Sequence, residues 1–422
     1  MISLKKLRRE PGACSEKLRL KQEKVNLKTI LDLDQKLREL KTISNDMRAE
    51  RNSTSELIGS LKRRGKDSKN TIVKMRELGD ELKLIEKDMK AVSTNLENSL
   101  YSLPNLPHDS VPDGKDESGN ITVRSWGSKP KFSYEPKNHI QLSEELKLFD
   151  FKRSAKLSGS GFPLYVGKGA KLERLIINSM IDYHVKEFGF KEVFPPVLMR
   201  KESMKTTGQL PKFEEDMYHT EVDNLYLAPT AEVPVTNLHR NEIILEEDLP
   251  IHYVAYSPCF RRESGSYGKD TRGLLRVHQF NKVELVKFTT PEHSYTELET
   301  LTLQAESILK NLGLHYRVVE LCTGDLSFAA AKCYDLEVWA PGEQKWLEVS
   351  SCSNFESFQA MRGDIRYRRS MDKDVRYLHT LNGSGVATPR LMVALLETYQ
   401  AKNGTIKFPD NVAKFLGIEE IS

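Results

Sequence analysis

The sequence predicts an α+β chain in which an antiparallel two-helix coiled-coil arm precedes a domain with an antiparallel β-sheet flanked by helices. Three features support this: a proline-free stretch with apolar residues at helical spacing, a proline-rich stretch after it, and strand-like runs that helices do not regularly separate. The chain has 422 residues, which allows two or three domains at roughly 100–200 residues each. We expect the arm at 1–103, a linker at 104–137 and the sheet domain at 138–422.

The arm is predicted from two apolar stripes between about Val25 and Leu103. Steps of three and four residues give a narrow apolar seam, which is the pattern of coiled-coil packing. Gly65 permits a left-handed turn between the stripes, and Asp67 or Ser68 can cap a second helix, so the helices fold back as a hairpin. The stripes are Ile30, Leu33, Leu37, Leu40, Ile43, Met47, Leu57 and Leu61, followed by Ile72, Met75, Leu78, Leu82, Ile85, Met89, Val92 and Leu96.

The net charge of +4 is unevenly distributed along the chain. Residues 1–100 carry 24 Lys and Arg against 16 Asp and Glu, whereas the remaining 40 Lys and Arg face 44 Asp and Glu. Five cations lie in or beside the predicted turn of the hairpin, where they can neutralise nucleic-acid phosphates. A dimerisation or spacer hairpin with a solvated charged face is the alternative. The five cations are Lys62, Arg63, Arg64, Lys66 and Lys69.

The linker is predicted from five prolines between Pro104 and Pro136, together with many Asp, Gly and Ser residues. Beyond it, Leu172–Phe188 has the pattern of a helix. Because the strand-like runs do not alternate with helices, an antiparallel sheet is favoured over a doubly wound parallel one. The predicted strands are Tyr253–Ser257, Lys282–Phe288, Tyr316–Val319, Tyr334–Trp339 and Lys345–Ser350.

Composition also excludes several classes of protein. No apolar run approaches the ~18–20 residues that span a bilayer, and the basic start Met1–Lys21 lacks the apolar core and cleavage site of a signal peptide. We therefore expect a soluble, cytoplasmic chain without a membrane partner. The five cysteines form no Cys-x-x-Cys pair, so neither a disulfide framework nor a structural zinc site is expected.

The segment 257–284 carries the residue types of a nucleotide site, although the sequence has neither of the common glycine-rich phosphate-binding loops. A strand that carries Arg261 and Glu263 places both side chains on one face, and Phe280 and Glu284 share one face of the returning strand, because side chains alternate along strands. These residues offer a guanidinium for phosphate, carboxylates for amines or hydroxyls, and a ring for a base. We expect an amino acid and a nucleotide to bind together here. A surface ion pair and a core phenylalanine are the alternatives.

Three strings in order resemble the motifs of the class II aminoacyl-tRNA synthetases. Gly189–Pro196 is similar to motif 1, Phe260–Glu263 with the downstream His278–Phe280 to motif 2, and Leu381–Glu397 to motif 3. Each string alone is a weak signal, whereas three in the family's order are specific. The resemblance implies a class II synthetase catalytic domain and a homodimer formed through motif 1.

Further strings resemble the serine-specific branch of this family, and the resemblance covers essentially the whole chain. It implies activation of L-serine with ATP to seryl-adenylate and diphosphate, and transfer of serine to the 3′ end of serine tRNA, with selenocysteine tRNA as a second candidate. Motif 3 departs from the family pattern, because Thr388-Pro389 stands where many members have Val-Gly. The strings are Thr207–Phe213, Pro229–Pro234, Leu321–Asp325, Tyr334–Trp339 and Glu348–Phe355.

The resemblance also implies roles for single residues toward ATP. Arg261 holds the α-phosphate, Glu263 binds the adenine amino group, and Phe280 and Arg390 stack on adenine, with Arg261 and Arg390 as the catalytic pair. Glu348 and Ser351 hold Mg²⁺, as expected for hard oxygen ligands. The full set of implied ATP-binding residues is Arg261, Arg262, Glu263, Val277, Phe280, Glu348, Val349, Ser350, Ser351 and Arg390.

Toward serine, the resemblance implies Thr230 and Glu232 for the α-amino group and Glu284 and Ser384 for the hydroxyl, with Arg261 on the carboxylate. It places serine tRNA on the arm, at the five cations of the turn.

Lys269, Arg272 and Arg276 either approach the tRNA acceptor end or are solvated. Two competing functions are an arm-bearing paralogue with a non-tRNA acceptor and a regulatory coiled-coil protein with an inactive synthetase body. The latter predicts losses among five site residues that are all present, namely Arg261, Glu263, Glu284, Glu348 and Arg390.

Overall fold

The structure is a computed structural model that describes residues 1–23, 25–264 and 272–422. The helices are α1 (Leu4–Arg9), α2 (Pro11–Leu20), α3 (Leu27–Arg63), α4 (Lys69–Tyr101), α5 (His139–Leu146), α6 (Phe151–Ser158), α7 (Lys168–Phe188), α8 (Lys201–Thr207), α9 (Glu232–Thr236), α10 (Ser294–Asn311), α11 (Phe358–Gly363), α12 (Thr388–Thr398) and α13 (Asp410–Leu416). Short 3₁₀ turns are Glu117–Gly119, Glu214–Asp216, Asn237–His239 and Glu246–Asp248.

The strands complete the description of the secondary structure. They are β1 (Ile121–Trp126), β2 (Lys191–Val193), β3 (Leu198–Arg200), β4 (His219–Thr220), β5 (Leu225–Leu227), β6 (Ile243–Leu245), β7 (Ile251–Phe260), β8 (Gln279–Thr289), β9 (Tyr316–Glu320), β10 (Lys332–Ala340), β11 (Lys345–Asn354), β12 (Arg366–Arg368), β13 (Val375–Tyr377), β14 (His379–Ala387), β15 (Ile406–Lys407) and β16 (Glu420–Ile421). Two compact units result, one of Ile2–Arg19 with Glu23–Leu103 and one of Met1, Leu20–Gln22 and Pro104–Ser422.

The first unit contains the predicted hairpin of α3 and α4, which is confirmed. Its two helices have 37 and 33 residues, so α3 is on the order of 55 Å long at 1.5 Å per residue. At the turn Gly65 has φ +62°, and the Asp67 carboxylate accepts a hydrogen bond from the Lys69 amide at 3.0 Å. Ion pairs join the helices along their length, at Arg48–Glu86 (2.7 Å) and Lys74–Glu50 (3.1 Å).

The second unit is built on an eight-stranded sheet in the order β1-β9-β10-β11-β14-β8-β7-β2. Neighbouring strands are antiparallel except β2, which runs parallel to β7, so the predicted antiparallel sheet is confirmed. One strand was not predicted, because β1 lies in the proline-rich segment. It pairs with β9 at the sheet edge, its side chains are mostly exposed, and the apolar residues Ile121 and Val123 give only a short alternation.

The core of the second unit joins three helices to the sheet. Apolar side chains of α7, α10 and α12 pack with those of the central strands, and Leu172, Leu298 and Leu391 are fully buried. Three smaller sheets have the orders β13-β12-β6, β15-β16 and β3-β5-β4. Within the described residues, every helix is too short or too polar to cross a bilayer. The five cysteines are free and buried.

Candidate active site

A cavity of about 720 Å³ opens in the second unit. Predicted site residues that are up to 160 positions apart in sequence, from Thr230 to Arg390, meet around it. Glu284 is fully buried and contacts residues of the cavity wall. The predicted site residues that line the cavity are Thr230, Glu232, Arg261, Glu263, Val277, Phe280, Glu348, Val349, Ser350, Ser351, Ser384 and Arg390.

Two buried carboxylates form the polar end of the cavity. Thr230, which precedes α9, donates its hydroxyl to Glu284 at 3.0 Å. Asn382 of β14 donates its amide to both Glu232 and Glu284, at 3.0 Å each. Gln359 of α11 donates to Glu232 at 2.6 Å. Asn382 and Gln359 were missed by the sequence reasoning, although Asn382 shares a strand face with the predicted Ser384.

Lys282 is a further residue that was missed. Its ammonium lies 2.5 Å from the Glu284 carboxylate, its side chain is 7% exposed, and it lines the cavity. The signal was available, because even spacing places Lys282 on the same face of β8 as Phe280 and Glu284. Ser384 stands directly opposite Glu284 across the β8–β14 pair.

The local environment shifts the protonation of Glu232. Burial, and then the neighbouring charge of Glu284, raise the pKa of Glu232 to about 7. The hydrogen bond from Gln359 and the charges of Lys282 and Arg261 act in the opposite direction. This carboxyl therefore changes charge near neutral pH, and it can bind an ammonium group strongly only when it is ionised.

The other end of the cavity contains Arg261, Phe280 and Glu263. The Arg261 guanidinium lies 5.2 Å from the centre of the Phe280 ring, and the Glu263 carboxylate pairs with Arg276 at 2.5 Å. The strand argument for Arg261 and Glu263 was wrong, because β7 ends at Phe260 and Glu263 has φ +53°. The chain leaves the sheet before these residues, yet both side chains line the cavity.

Arg390 follows the start of α12 and reaches the opposite wall. It donates to the backbone oxygens of Leu275 at 3.2 Å and Glu348 at 3.0 Å, and it lies 3.6 Å from the Glu348 carboxylate. The unusual Thr388-Pro389 pair is compatible with this arrangement. Proline in the first turn lacks an N–H that the helix does not need, and Thr388 donates to buried Glu173 at 2.5 Å.

A β-bulge determines how Glu348 and Ser351 are presented. Three residues apart on a regular strand, they would face opposite sides of the sheet. In the β10–β11 pair, however, Glu348 is opposite Glu337 and Ser350 is opposite Leu336, so Val349 is an extra residue. The bulge returns Glu348 and Ser351 to the same face.

Side-chain oxygens that suit a metal ion lie close together at this bulge. The register places Asp335 opposite Ser351, and burial and the Glu348 charge raise the pKa of Asp335 well above its usual value. Carboxylate and hydroxyl oxygens are the ligands that hard divalent cations prefer, so the donor set fits Mg²⁺.

The remaining predicted residues lie elsewhere. Arg262 does not line the cavity, since its Nε donates to the Met217 carbonyl at 3.1 Å and its guanidinium lies 5.0 Å from the Tyr218 ring. Its ATP-binding role stays a prediction. Lys269 is outside the described residues. The five cations of the hairpin turn are exposed in the first unit.

Two family models match the chain. The model described as the seryl-tRNA synthetase N-terminal domain matches residues 1–107, and the tRNA synthetase class II core domain (G, H, P, S and T) matches residues 212–399. Among curated relatives, serine–tRNA ligases of Thermodesulfovibrio yellowstonii and Bacillus pumilus are each 50% identical to the chain, with full coverage of both sequences.

Solved structures are similar over the same extent. The seryl-tRNA synthetase from Pyrococcus horikoshii complexed with ATP has a TM-score of 0.93 at 37% identity, covering 100% of this chain and 99% of that one. The cytoplasmic serine–tRNA ligase from Naegleria fowleri in complex with AMP has a TM-score of 0.84 at 26% identity, covering 98% and 96%.

Proposed function

Since the chain belongs to the seryl-tRNA synthetase family, we propose that the residues around its cavity perform this family's reaction in the roles that follow. The chain joins serine to tRNA in two steps: serine and ATP form seryl-adenylate and diphosphate, and the seryl group is then transferred to the 3′ end of the tRNA with release of AMP. The observation that supports the roles is the convergence of twelve predicted residues on one cavity.

Serine binds at the polar end of the cavity. Its ammonium group contacts Glu232 and Thr230, its carboxylate contacts Arg261, and its hydroxyl contacts Glu284 and Ser384. The direct pairing of Glu284 with Ser384 across two strands supports a shared hydroxyl site. Asn382 fixes both carboxylates at once, because its amide donates to each of them.

ATP binds at the other end of the cavity. Its adenine lies between Phe280 and Arg390, with the amino group on Glu263. In the structure, Glu263 pairs with Arg276 and the Arg261 guanidinium lies over Phe280. ATP replaces these interactions within the protein by interactions with itself. Each of these side chains already lies close to the group of ATP that it binds.

The first chemical step needs no nucleophile from the protein. The serine carboxylate attacks the α-phosphorus in line, an O–P bond forms, and diphosphate leaves. Arg261 and Arg390 orient the phosphates and neutralise the charge that develops on them. Glu348 and Ser351 would hold Mg²⁺, which supplies charge neutralisation on the phosphates when it is bound.

The reaction takes place in the cytoplasm. Two further assignments concern the partners of the chain. The exposed cations of the hairpin turn bind serine tRNA. Motif 1 forms a homodimer, which is supported by β2 at the edge of the eight-stranded sheet and by Phe194, whose side chain is 78% exposed just beyond that strand. We divide the chain into a tRNA-binding arm at 1–103, a connecting segment at 104–137 and a catalytic domain at 138–422.

The first prediction concerns amino-acid selection. Glu284→Ala lowers kcat/KM for serine by at least on the order of 100-fold in ATP–diphosphate exchange, because the hydroxyl loses its acceptor. The value for alanine stays the same or rises. Ser384→Ala, which removes no buried charge, shows the same selectivity at smaller size and guards against misfolding. An equal loss for both amino acids would contradict the hydroxyl site, and exchange that depends on another amino acid would contradict the function itself.

The second prediction concerns pH. In the free enzyme the Glu232 carboxyl is raised to a pKa of about 7, and protonation removes the charge that attracts the serine ammonium. We therefore expect kcat/KM for serine to be half of its plateau value near pH 7 and to fall about tenfold per pH unit at lower pH. Glu232→Gln removes this acid limb from the profile, whereas Glu247→Gln on the surface keeps it. An acid limb that persists in Glu232→Gln would assign the titration to another group.

The third prediction concerns the arm. Deleting Leu31–Leu96 spares serine-dependent ATP–diphosphate exchange and reduces tRNA charging severely, because only the second step requires tRNA on the arm.

Neutralising Arg63, Arg64 and Lys66 raises KM for tRNA and makes it less dependent on salt, by a slope of about one for each phosphate that the arm no longer neutralises. Replacing Lys36, Lys41 and Lys87, exposed elsewhere on the same helices, has a smaller effect. Equal loss of both reaction steps on deletion would argue against a separate role for the arm.

The fourth prediction concerns the dimer. Phe194→Asp places a charge at the edge strand of motif 1, so light scattering at micromolar concentration should show a shift from dimer to monomer. Val222→Asp is the matched control, since Val222 is 96% exposed in a turn between β4 and β5. A wild-type chain that is monomeric at every concentration would contradict the assignment.

A further inference from the structure

A buried histidine connects the nucleotide end of the cavity to the rest of the catalytic unit. His139, the first residue of α5, is fully buried, and its Nε2 accepts the backbone N–H of Leu274 at 3.2 Å. Its Nδ1 lies 3.3 Å from the Glu397 carboxylate and 3.4 Å from that of Glu343. Because Nε2 accepts a hydrogen bond, the ring proton resides on Nδ1, which donates to the Glu397 carboxylate.

A metal site is the first alternative to consider. His139, Glu343 and Glu397 each place one ligand atom within 4.8 Å of the others. The ring nitrogens are both engaged, however, and the Glu397 carboxylate accepts three backbone N–H groups, those of His139 (2.9 Å), Gly342 (2.8 Å) and Glu343 (3.0 Å). These N–H groups already use the oxygens of Glu397. The cluster therefore joins backbone segments by hydrogen bonds, which disfavours an ion site.

Hydrogen bonds hold the backbone of Leu274 and Leu275 against α12 at two points. Glu397 near the end of α12 reaches the N–H of Leu274 through His139, and Arg390 near the start of α12 donates to the carbonyl of Leu275 at 3.2 Å. These two anchors are seven residues apart on the helix, about 10 Å along its axis. The next residue of the segment, Arg276, carries the ion pair to Glu263.

Gly273 shows how closely this segment approaches the ring. It has φ +62°, and a Cβ placed on it would lie 2.1 Å from the His139 Nε2. Only glycine allows the backbone to pass here without displacing the histidine.

We propose that His139 is a positioning residue for ATP, an inference that rests on the proposed function of the cavity. By fixing Leu274, it sets the place of the Leu275 carbonyl and of Arg276, which in turn orient Arg390 and Glu263 around the adenine. The effect is specific to ATP, because the serine end is held by a separate set of hydrogen bonds from Asn382 and Gln359.

Two isosteric variants separate the two sides of the ring. In His139→Asn the amide nitrogen takes the place of Nδ1 and keeps the donor to the carboxylates, but the Leu274 N–H loses its acceptor. In His139→Gln the amide oxygen takes the place of Nε2 and keeps that acceptor. We expect His139→Asn to raise KM for ATP on the order of tenfold, with KM for serine changed less than about twofold, and His139→Gln to stay near the wild type for ATP.

A second pair of variants tests the same interaction from the loop. Gly273→Ala raises KM for ATP, because its Cβ collides with the ring. Gly159→Ala is the control, since Gly159 also has positive φ (+88°) but has no atom within 4 Å of its Cβ position. Thermal unfolding of all four variants shows whether a loss of stability accompanies the kinetic change.

The outcomes are distinguishable from failure of the proposed function. Wild-type protein without serine-dependent exchange would overturn that function. Active wild type, with His139→Asn and Gly273→Ala unchanged in KM for ATP, would overturn only the role of His139. If His139→Asn and His139→Gln lose stability together and raise the KM values for ATP and serine equally, the histidine is structural and the positioning role is refuted.

Discussion

Two carboxylates buried side by side, Glu232 and Glu284, impose the constraint on which the rest of the cavity depends. Charges that are removed from water are stable only with donors or opposite charges close by. Asn382 donates to both carboxylates, Lys282 pairs with Glu284, and Gln359 donates to Glu232. These partners come from β8, β14 and α11, so the order of strands in the sheet is a condition for the site.

The nucleotide end follows the same rule with more exposed groups. Arg276 forms an ion pair with the Glu263 carboxylate, and Arg390 donates a hydrogen bond to the backbone carbonyl of Glu348. Each of these interactions involves a side chain, Glu263 or Arg390, that the proposed mechanism assigns to adenine or to the phosphates. This end of the cavity therefore has internal partners before ATP arrives, and ATP binding proceeds by exchanging hydrogen bonds more than by creating them. Such exchange favours ligands that reproduce every hydrogen bond they displace.

Periodicity predicted those parts of the molecule that depend on local sequence. The hairpin follows from apolar steps of three and four residues, and even spacing on β8 places Phe280 and Glu284 on one face. The register irregularities were out of reach, because Val349 and Gly385 become extra residues only when β11 and β14 pair with their neighbours. The edge strand β1 was also missed, since its alternation of apolar and polar residues stops after Ile121 and Val123 and it lies in the proline-rich segment.

Tertiary contacts explain the site residues that no motif predicted. Gln359 belongs to a helix of six residues, and only the folded chain gives it a partner in Glu232 of α9. His139 is similar, because its ring nitrogens meet a loop residue and a glutamate that are more than 130 positions away. Hydrogen bonds of such sequence separation leave no periodic trace, so they become visible only after folding.

In the proposed site, the selection of serine depends on how many hydrogen bonds Glu284 can still accept. A carboxylate has about four acceptor sites, and Thr230, Asn382 and Lys282 occupy three of them. One site therefore remains for a donor from the substrate, and the serine hydroxyl is such a donor, whereas the methyl group of alanine is not. In the proposed site, serine is distinguished from alanine by a single buried acceptor that the serine hydroxyl satisfies, and the three donors already present hold that acceptor in place against Ser384. Without Lys282 the carboxylate would have a second open site, which a water molecule or another hydroxyl could fill, and the selectivity for serine would weaken.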